Sequence, residues 1–315
     1  MVYHSPDMST TAKGTVVCIG TFDGVHIGHQ AILRRVQQEA ADRDLESIAY
    51  AFDTPPRWTQ AGEPTRTLLL PQSIKRRLLE RYVDRSIPVA LSEVRNLLPN
   101  EFGETILAKQ LQARIVVVGG GFRFGRERAG NVDILRELGA RLGFDTVAVP
   151  PIESDGEPVS STRIRQLLAD GSIADAAKLL GRPSILVGVV ESGDRLGRNL
   201  GYPTANLETD SHELLPSTGI YLIHAFCLGS RHDGLLYIGN RPTIGGGAMR
   251  CEAHLLSAGA PDLYGVSMEV HLLERLRGDR TFDSLDDLRA QIERDIAEAG
   301  SRLPRHAALT APFGS

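Results

Sequence analysis

The sequence predicts an α/β domain built on a parallel sheet, followed by a smaller all-β domain, sandwich or barrel, that ends in a helix. Three observations predict it. Residues 15–149 alternate short apolar, β-branched runs with amphipathic helical stretches, the rhythm of a parallel sheet covered by helices. From Ser184 onward strand-like runs follow one another at turn spacing, as in a β-sandwich or barrel. The chain has 315 residues, too many for one ordinary core and suited to two domains of roughly 150. The rhythm changes after Gly181-Arg182-Pro183, so the expected domains are 1–182 and 183–315.

The elements can be justified in order. Thr15–Ile19 (TVVCI) is a buried strand that stops at Gly20, and Gly28–Ala40 follows as a helix with Ile32, Leu33 and Val36 at helical spacing. Ser47–Phe52 is a second strand, Ser73–Val83 a helix, and Arg114–Val118 a third strand halted by three glycines. Val132–Leu142 carries Ile134, Leu135, Leu138 and Leu142 on one helical face, and Thr146–Val149 is a strand before Pro150-Pro151. Arg163–Leu180 reads as a helix broken at Asp170-Gly171. The second domain offers SILVGVV, GIYLIHAFCL, GLLYIG, CEAHLL and VSMEVHLLE as strands. A last helix starts at a capping box, Ser284 with Asp287, and presents Leu285, Leu288 and Ile292.

Composition narrows the classes. Hydrophobic residues make up 42% and charged residues 23%, which excludes a disordered, collagenous or coiled-coil architecture. No apolar run reaches the ~18 residues that span a bilayer, and the polar N-terminus lacks the apolar core of a signal peptide. A net charge of −4 argues against a surface built to neutralise nucleic-acid phosphates. Cys18, Cys227 and Cys251 are odd in number and far apart, so neither a disulfide framework nor a zinc knuckle is expected. The expectation is a cytoplasmic protein, monomeric or weakly homo-oligomeric, with no membrane or nucleic-acid partner.

The first chemistry-bearing stretch is GTFDGVHIGHQ, where strand 1 turns into helix 1. Gly20, Gly24 and Gly28 let backbone approach a ligand, and a helix start offers free N–H groups and partial positive charge to phosphate. Read alone, His26 and His29 suit a bound anion or half of a metal site, although no third ligand follows at a metal-like interval. The H-x-G-H pattern after a buried strand resembles the signature of the nucleotidyltransferase superfamily that shares its fold with class I aminoacyl-tRNA synthetases. With Phe22-Asp23-Gly24-Val25 before it, the stretch is similar to the bacterial bifunctional riboflavin kinase/FMN adenylyltransferase, or FAD synthetase, family. The resemblance implies a Rossmann-like nucleotidyltransferase domain with ATP at Gly20, Phe22, Asp23, Gly24, His26 and His29.

A second stretch, SSTRIRQLL, puts hydroxyls and arginines at another helix start; read alone it is an ordinary cap. Beside the H-x-G-H pattern it resembles the family's S-S-T-x-I-R element. That implies ATP contacts from Ser160, Ser161, Thr162 and Arg165, with His29 and Arg165 catalytic, and leaves Arg163 on a variable position. Two departures stand out. Pro56 replaces a histidine usual in the family, and Gly121 replaces an Asn or Asp in Gly119-Gly120-Gly121-Phe122-Arg123-Phe124-Gly125. Loss of one such polar contact costs about 1–3 kcal/mol. These departures predict either tolerated variation or a riboflavin kinase whose nucleotidyltransferase domain is weakened or redirected to a modified acceptor; a further alternative is a non-catalytic flavin-binding regulator derived from the family.

The third stretch lies in the β domain. DRLGRNLGYPTAN ends in Thr204 and Asn206, hard oxygen ligands of the kind Mg²⁺ accepts. In CEAHLL, period two sets Cys251, Ala253 and Leu255 on one face and Glu252 and His254 on the other. Read alone, Glu252 is a solvated strand residue. The order P-T-A-N, G-I-Y, G-N-R-P-T, C-E-A-H-L-L, D-L-Y-G resembles the riboflavin kinase module. The resemblance implies a six-stranded antiparallel barrel, with Mg-ATP at Gly193, Gly201, Pro203, Thr204 and Asn206. It makes Glu252 the base for the riboflavin 5′-hydroxyl. It further implies Mg²⁺ and ATP in both reactions, with riboflavin, FMN and FAD as substrates or products. His212, His224, His232 and His271 match nothing in the family and are expected to be structural or surface residues, and Trp58 to pack a loop.

Overall fold

The computed structural model describes residues 13–53, 68–191, 201–240, 249–256 and 263–307. Contacts divide these into two compact units, one of residues 13–53 and 72–161, the other of residues 68–71 and 162–307.

The first unit is a five-stranded sheet of order β3-β2-β1-β4-β5, with every pair parallel. Its strands are β1 (Thr15–Gly20), β2 (Glu46–Phe52), β3 (Arg85–Val89), β4 (Ala113–Gly119) and β5 (Asp145–Val149). The helices are α1 (Ile27–Arg43), α2 (Gln72–Leu79), α3 (Leu91–Val94), α4 (Pro99–Glu101, running into a π-helical stretch over Phe102–Gln110) and α5 (Val132–Leu142). Val16, Val17 and Cys18 in β1 are fully buried, as a strand covered on both faces requires. Tyr50, Phe102, Leu107, Val116 and Leu135 share one core with β1. The chain builds outward from β1 through β2 to β3, then returns to β4 on the other side. The carboxyl end of β1 is therefore the switch point of the sheet, where such folds bind ligands.

Two elements here escape the sequence pattern. Strand β3 (RSIPV) carries Pro88 and no apolar run, which an edge strand tolerates. The π-helical stretch buries Phe102, Gly103, Ile106 and Leu107, and no helix was expected there from the sequence. Two two-residue strands, β6 (Glu153–Ser154) and β7 (Glu157–Pro158), then pair before the next helix.

The second unit contains α6 (Ser161–Ala169, entered at Thr162), α7 (Ile173–Leu180) and a closed barrel of order β10-β11-β12-β9-β8-β13. Its strands are β8 (Ser184–Glu191), β9 (Ala205–Thr209), β10 (Gly219–Cys227), β11 (Ser230–Asn240), β12 (Met249–Leu255) and β13 (Ser267–Arg277), all antiparallel to their neighbours. Of sandwich and barrel, the structure is the barrel. The break between α6 and α7 falls where expected: Gly171 has φ +78°, and a Cβ there would lie 2.6 Å from Ser217 Oγ. Strand β9 is not signalled by pattern, because its ANLET run is short and half polar.

Helix α8 (Leu285–Arg302) closes the unit. Ser284 caps it, accepting the Asp287 N–H at 3.1 Å and donating its hydroxyl to the Asp287 carboxylate at 2.6 Å. One expectation fails: Leu285 is 59% exposed and does not join the buried face. The inward face is instead Leu288, Gln291, Ile292, Asp295 and Ala299. Cys18, Cys227 and Cys251 are buried thiols in no disulfide, and burial pushes the Cys18 thiol far above its ordinary range. His224 and His271 are each 1% exposed and bonded to carboxylates, His224 to Asp233 and His271 to Glu269, both at 2.7 Å. They are structural, as expected.

Candidate active sites

In the first unit the residues after β1 form a tight, strained loop. Phe22 and Val25 are not glycine, yet they have φ +50° and +39°, a conformation costing about 1–3 kcal/mol each, and Gly24 has φ +84°. Phe22, Asp23, Val25 and His26 are buried. His26 caps α1: its Nδ1 accepts the His29 N–H at 3.3 Å. The two imidazoles stack with centroids 3.6 Å apart, and the Phe22 ring meets His29 edge-on at 5.3 Å. Gly28 explains the glycine between the histidines, because a Cβ there would lie 3.1 Å from the His26 ring. Gln30 donates its side-chain amide to the Val25 carbonyl at 3.0 Å, and Ser161 Oγ donates to the Asp23 carbonyl at 2.8 Å.

The structure thus gathers Gly20, Phe22, Asp23, Gly24, His26, His29 and Ser161 at the carboxyl end of β1 and the starts of α1 and α6. Ser160 immediately precedes α6 and is half-buried. Thr162 and Arg165 follow on α6, where the chain passes into the other unit; Ser161 and Arg165 share a helical face at i, i+4. Pro56 lies outside the described residues. Gly121 is exposed, and a Cβ there would meet nothing within 4 Å, so packing does not demand glycine.

One residue of this site went unnoticed in the sequence. Lys75 on α2 is only 5% exposed. Its Nζ donates to the carbonyls of Thr21 at 3.2 Å and Phe52 at 2.7 Å, tying the ends of β1 and β2 together. Burial pushes its ammonium down to about 8, with the Asp23 and Asp53 carboxylates partly opposing the shift. The signal was present: Lys75 falls on the same stripe as Ile74, Leu78 and Leu79.

In the second unit a cavity of about 260 Å³ opens between the barrel and α8, lined by Thr204, Glu252, His254, Phe282, Leu288 and Ile292 among others. Strand β12 alternates as predicted, with Cys251, Ala253 and Leu255 buried and Glu252 and His254 half-buried toward the cavity. Register sets Glu252 opposite Asn206 on β9 and opposite Tyr237 on β11. The Thr204 hydroxyl donates to Glu252 Oε2 at 3.4 Å. Thr204 and Glu252 therefore present hydroxyl and carboxylate oxygens in one patch, with Asn206 directly across the strand pair from Glu252. Mg²⁺ accepts such a set while keeping waters and binding nucleotide phosphates. Gly201 lies in a turn at φ +91°, and Gly193 is outside the described residues.

His254 was not singled out from sequence. Its Nδ1 bonds the Pro203 carbonyl at 2.9 Å, and because a carbonyl only accepts, Nδ1 carries the proton. The Tyr202 ring stands edge-on to it at 5.9 Å, and the Tyr202 hydroxyl donates to Glu293 at 3.1 Å. Residues 202–204 are thereby held on both sides. The far wall is pinned by Arg277, which donates from Nη2 to buried Asp295 at 2.7 Å and from Nε at 3.0 Å, while Gln291 donates to Asp295 at 2.8 Å. Among the described residues no group of three or more His, Cys, Asp or Glu side chains could hold a metal. Neither is any described helix long and apolar enough to cross a membrane.

A parallel sheet with two stacked histidines at its switch point, followed by a closed barrel with a hydroxyl and a carboxylate in its pocket, fits the class of two-domain transferases. Comparison with known proteins specifies the member. The FAD synthetase family model matches residues 8–163 and the riboflavin kinase model residues 180–303. The bifunctional riboflavin kinase/FMN adenylyltransferase of Escherichia coli K12 is 38% identical over 287 residues, covering 90% of this chain and 91% of that one. The protein of the same name from Pseudomonas fluorescens is 38% identical over 291 residues, covering 91% and 92%. A crystal structure from Streptococcus pneumoniae, named a macrolide-efflux protein, shares the fold along 94% of this chain and 96% of its own, with a TM-score of 0.85 and 29% identity. The chain belongs to the bifunctional riboflavin kinase/FMN adenylyltransferase family, enzymes of flavin cofactor biosynthesis.

Proposed function

We propose that the two reactions are divided between the two halves of the chain, with residues 183–315 phosphorylating riboflavin and residues 1–182 adenylylating FMN. In the barrel, Glu252 accepts the proton of the riboflavin 5′-hydroxyl as its oxygen attacks the γ-phosphorus of ATP. The new P–O bond forms, the bond to the β-phosphate oxygen breaks, and ADP leaves. Thr204 and Asn206 would hold Mg²⁺, which would neutralise phosphate charge when bound, with Gly201 and Pro203 in the stretch beside them and Gly193 as a further Mg-ATP residue outside the described residues. In the first half, an FMN phosphate oxygen attacks the α-phosphorus of ATP and pyrophosphate leaves. His26, His29 and the α1 N–H groups hold the phosphates, and Ser160, Ser161, Thr162 and Arg165 bind them from α6. His29 and Arg165 carry the charge that develops on the leaving group.

The observation that supports this most is the Thr204 hydroxyl 3.4 Å from Glu252, inside a walled cavity and opposite Asn206. We place the enzyme in the cytoplasm, where ATP is available and buried free cysteines suit a reducing medium. It acts as a monomer or weak homo-oligomer, without nucleic-acid or membrane partners. Incubation with riboflavin, ATP and Mg²⁺ followed by chromatography should yield both FMN and FAD. Binding of riboflavin without turnover would refute the assignment.

A second reading, a full kinase with weakened adenylyl transfer, is favoured by the empty space at Gly121. Under it, Gly121→Asn fits without repacking and raises kcat/KM for FMN adenylylation about tenfold, the worth of one polar contact. Unchanged kcat/KM would show that the glycine is tolerated variation.

A further inference from the structure

Lys75 is a buried cation that neither proposed reaction uses. It sits under the strained loop that carries Phe22, Asp23 and His26, and its two hydrogen bonds go to backbone carbonyls at the ends of β1 and β2. Backbone carbonyls at strand ends would be equally well served by solvent or a neutral amide. Burying a lysine here costs desolvation, so the geometry asks what the charge does. The charged groups acting on it are Asp23, from the loop after β1, and Asp53, from the end of β2. On its own helix the neighbouring cations, Arg76 and Arg77, are exposed. Asp53 is itself engaged with the opposite side, its Oδ1 accepting the Leu91 N–H at 3.2 Å and its carbonyl accepting from Gln72.

We infer that Lys75 is a positioning and charge-balancing residue for adenylyl transfer, holding the strand-end loop in place and offsetting Asp23 and Asp53 beside the site of the triphosphate. The inference rests on the reading of His26 and His29 as the nucleotide cradle. Without the ammonium, two carboxylates lie unbalanced beside a cradle that must accept a polyanion, and ATP binding weakens. A neutral amine still donates to both carbonyls, so the loop stays in place while the charge is lost. Deprotonation therefore lowers ATP affinity, while folding itself gains stability as pH rises from about 8 toward the ordinary lysine value. The sign follows directly. The charge is present below about pH 8 and lost above it, so kcat/KM for ATP falls on the alkaline side.

The test uses the full chain with saturating Mg²⁺, FMN and varied ATP from pH 6.5 to 9.5. The wild type should lose about tenfold in kcat/KM for ATP across a limb near pH 8, the effect of one unit charge at close range in a partly solvated cleft. Lys75→Met, which loses both the charge and the two donors, should already be about tenfold low in kcat/KM for ATP at pH 7 and should show no such limb. Lys75→Arg, whose charge does not titrate in this range, should recover activity at pH 9 relative to Lys75→Met. Riboflavin phosphorylation by the same samples reports that the chain is folded. A Lys75→Met enzyme that keeps the limb, or that matches wild type at pH 7, overturns the inference. If His29→Ala also leaves FAD formation intact, the cradle itself has been misassigned.

Discussion

Glu252→Gln abolishes conversion of riboflavin to FMN, lowering kcat by about 10³-fold, while added FMN is still converted to FAD within about twofold of wild type. The argument begins with strand alternation. Glu252 belongs to the face of β12 that looks into the cavity, and its partners across the sheet are fixed by register: Asn206 on one side and Tyr237 on the other. An attacking hydroxyl must shed its proton as the new P–O bond forms, and a carboxylate in that patch can take it. Glutamine has the same shape and can still accept the Thr204 hydroxyl through its carbonyl, so the variant changes basicity without emptying space. Loss of a general base costs about 10²–10⁴-fold, and about 10³ is the middle of that range. The loss should appear in kcat and kcat/KM alike, because the interaction exists only in the transition state. The measurement is initial-rate formation of FMN and FAD, separated by chromatography. Retention of FMN formation within tenfold of wild type would remove Glu252 from the reaction.

Much of this was legible in the sequence, for identifiable reasons. Strand β1, helix α5 and strand β12 satisfy a simple period and stand close to their observed bounds. The H-x-G-H pattern gave the helix start because its glycine and cap are local, and the His26 ring packs over Gly28 whatever lies farther away. What stayed hidden depends on long-range pairing. Strand β9 is short and polar, so it becomes a strand only because β12 and β8 flank it. Strand β3 carries no apolar run and includes Pro88, so it becomes a strand only by pairing with β2 at the sheet edge. Lys75 was passed over because a lysine in a helix is normally solvated, and its burial depends on carbonyls more than twenty residues away in the chain. His254 was hidden for a similar reason, since Pro203 reaches it only when the barrel closes. Leu285 misled because helical spacing does not say where a helix first meets its partner.

His29→Ala should do the reverse of the Glu252 change: FAD formation from FMN falls by about 10²–10³-fold, and riboflavin phosphorylation is unchanged within twofold. His29 is a cleaner probe than His26. The His26 side chain caps α1, and its removal would cost about 1 kcal/mol of helix stability besides any ligand contact. His29 contributes only its backbone N–H to that cap, and alanine keeps it. Its ring stacks on His26 and meets the edge of Phe22, contacts whose loss leaves a small opening at a half-buried position rather than a cavity in the core. On the proposed reading, what disappears is a donor for charge building on departing pyrophosphate, in a loop that hydrogen bonds from Gln30, Ser161 and Lys75 hold in a strained conformation. A preorganised donor of that kind is worth about 2.7–4 kcal/mol in the transition state. The deficit should therefore fall on kcat. Equal loss of both activities from a folded His29→Ala protein would mean that the two reactions share a site, and the division between the halves would have to be abandoned.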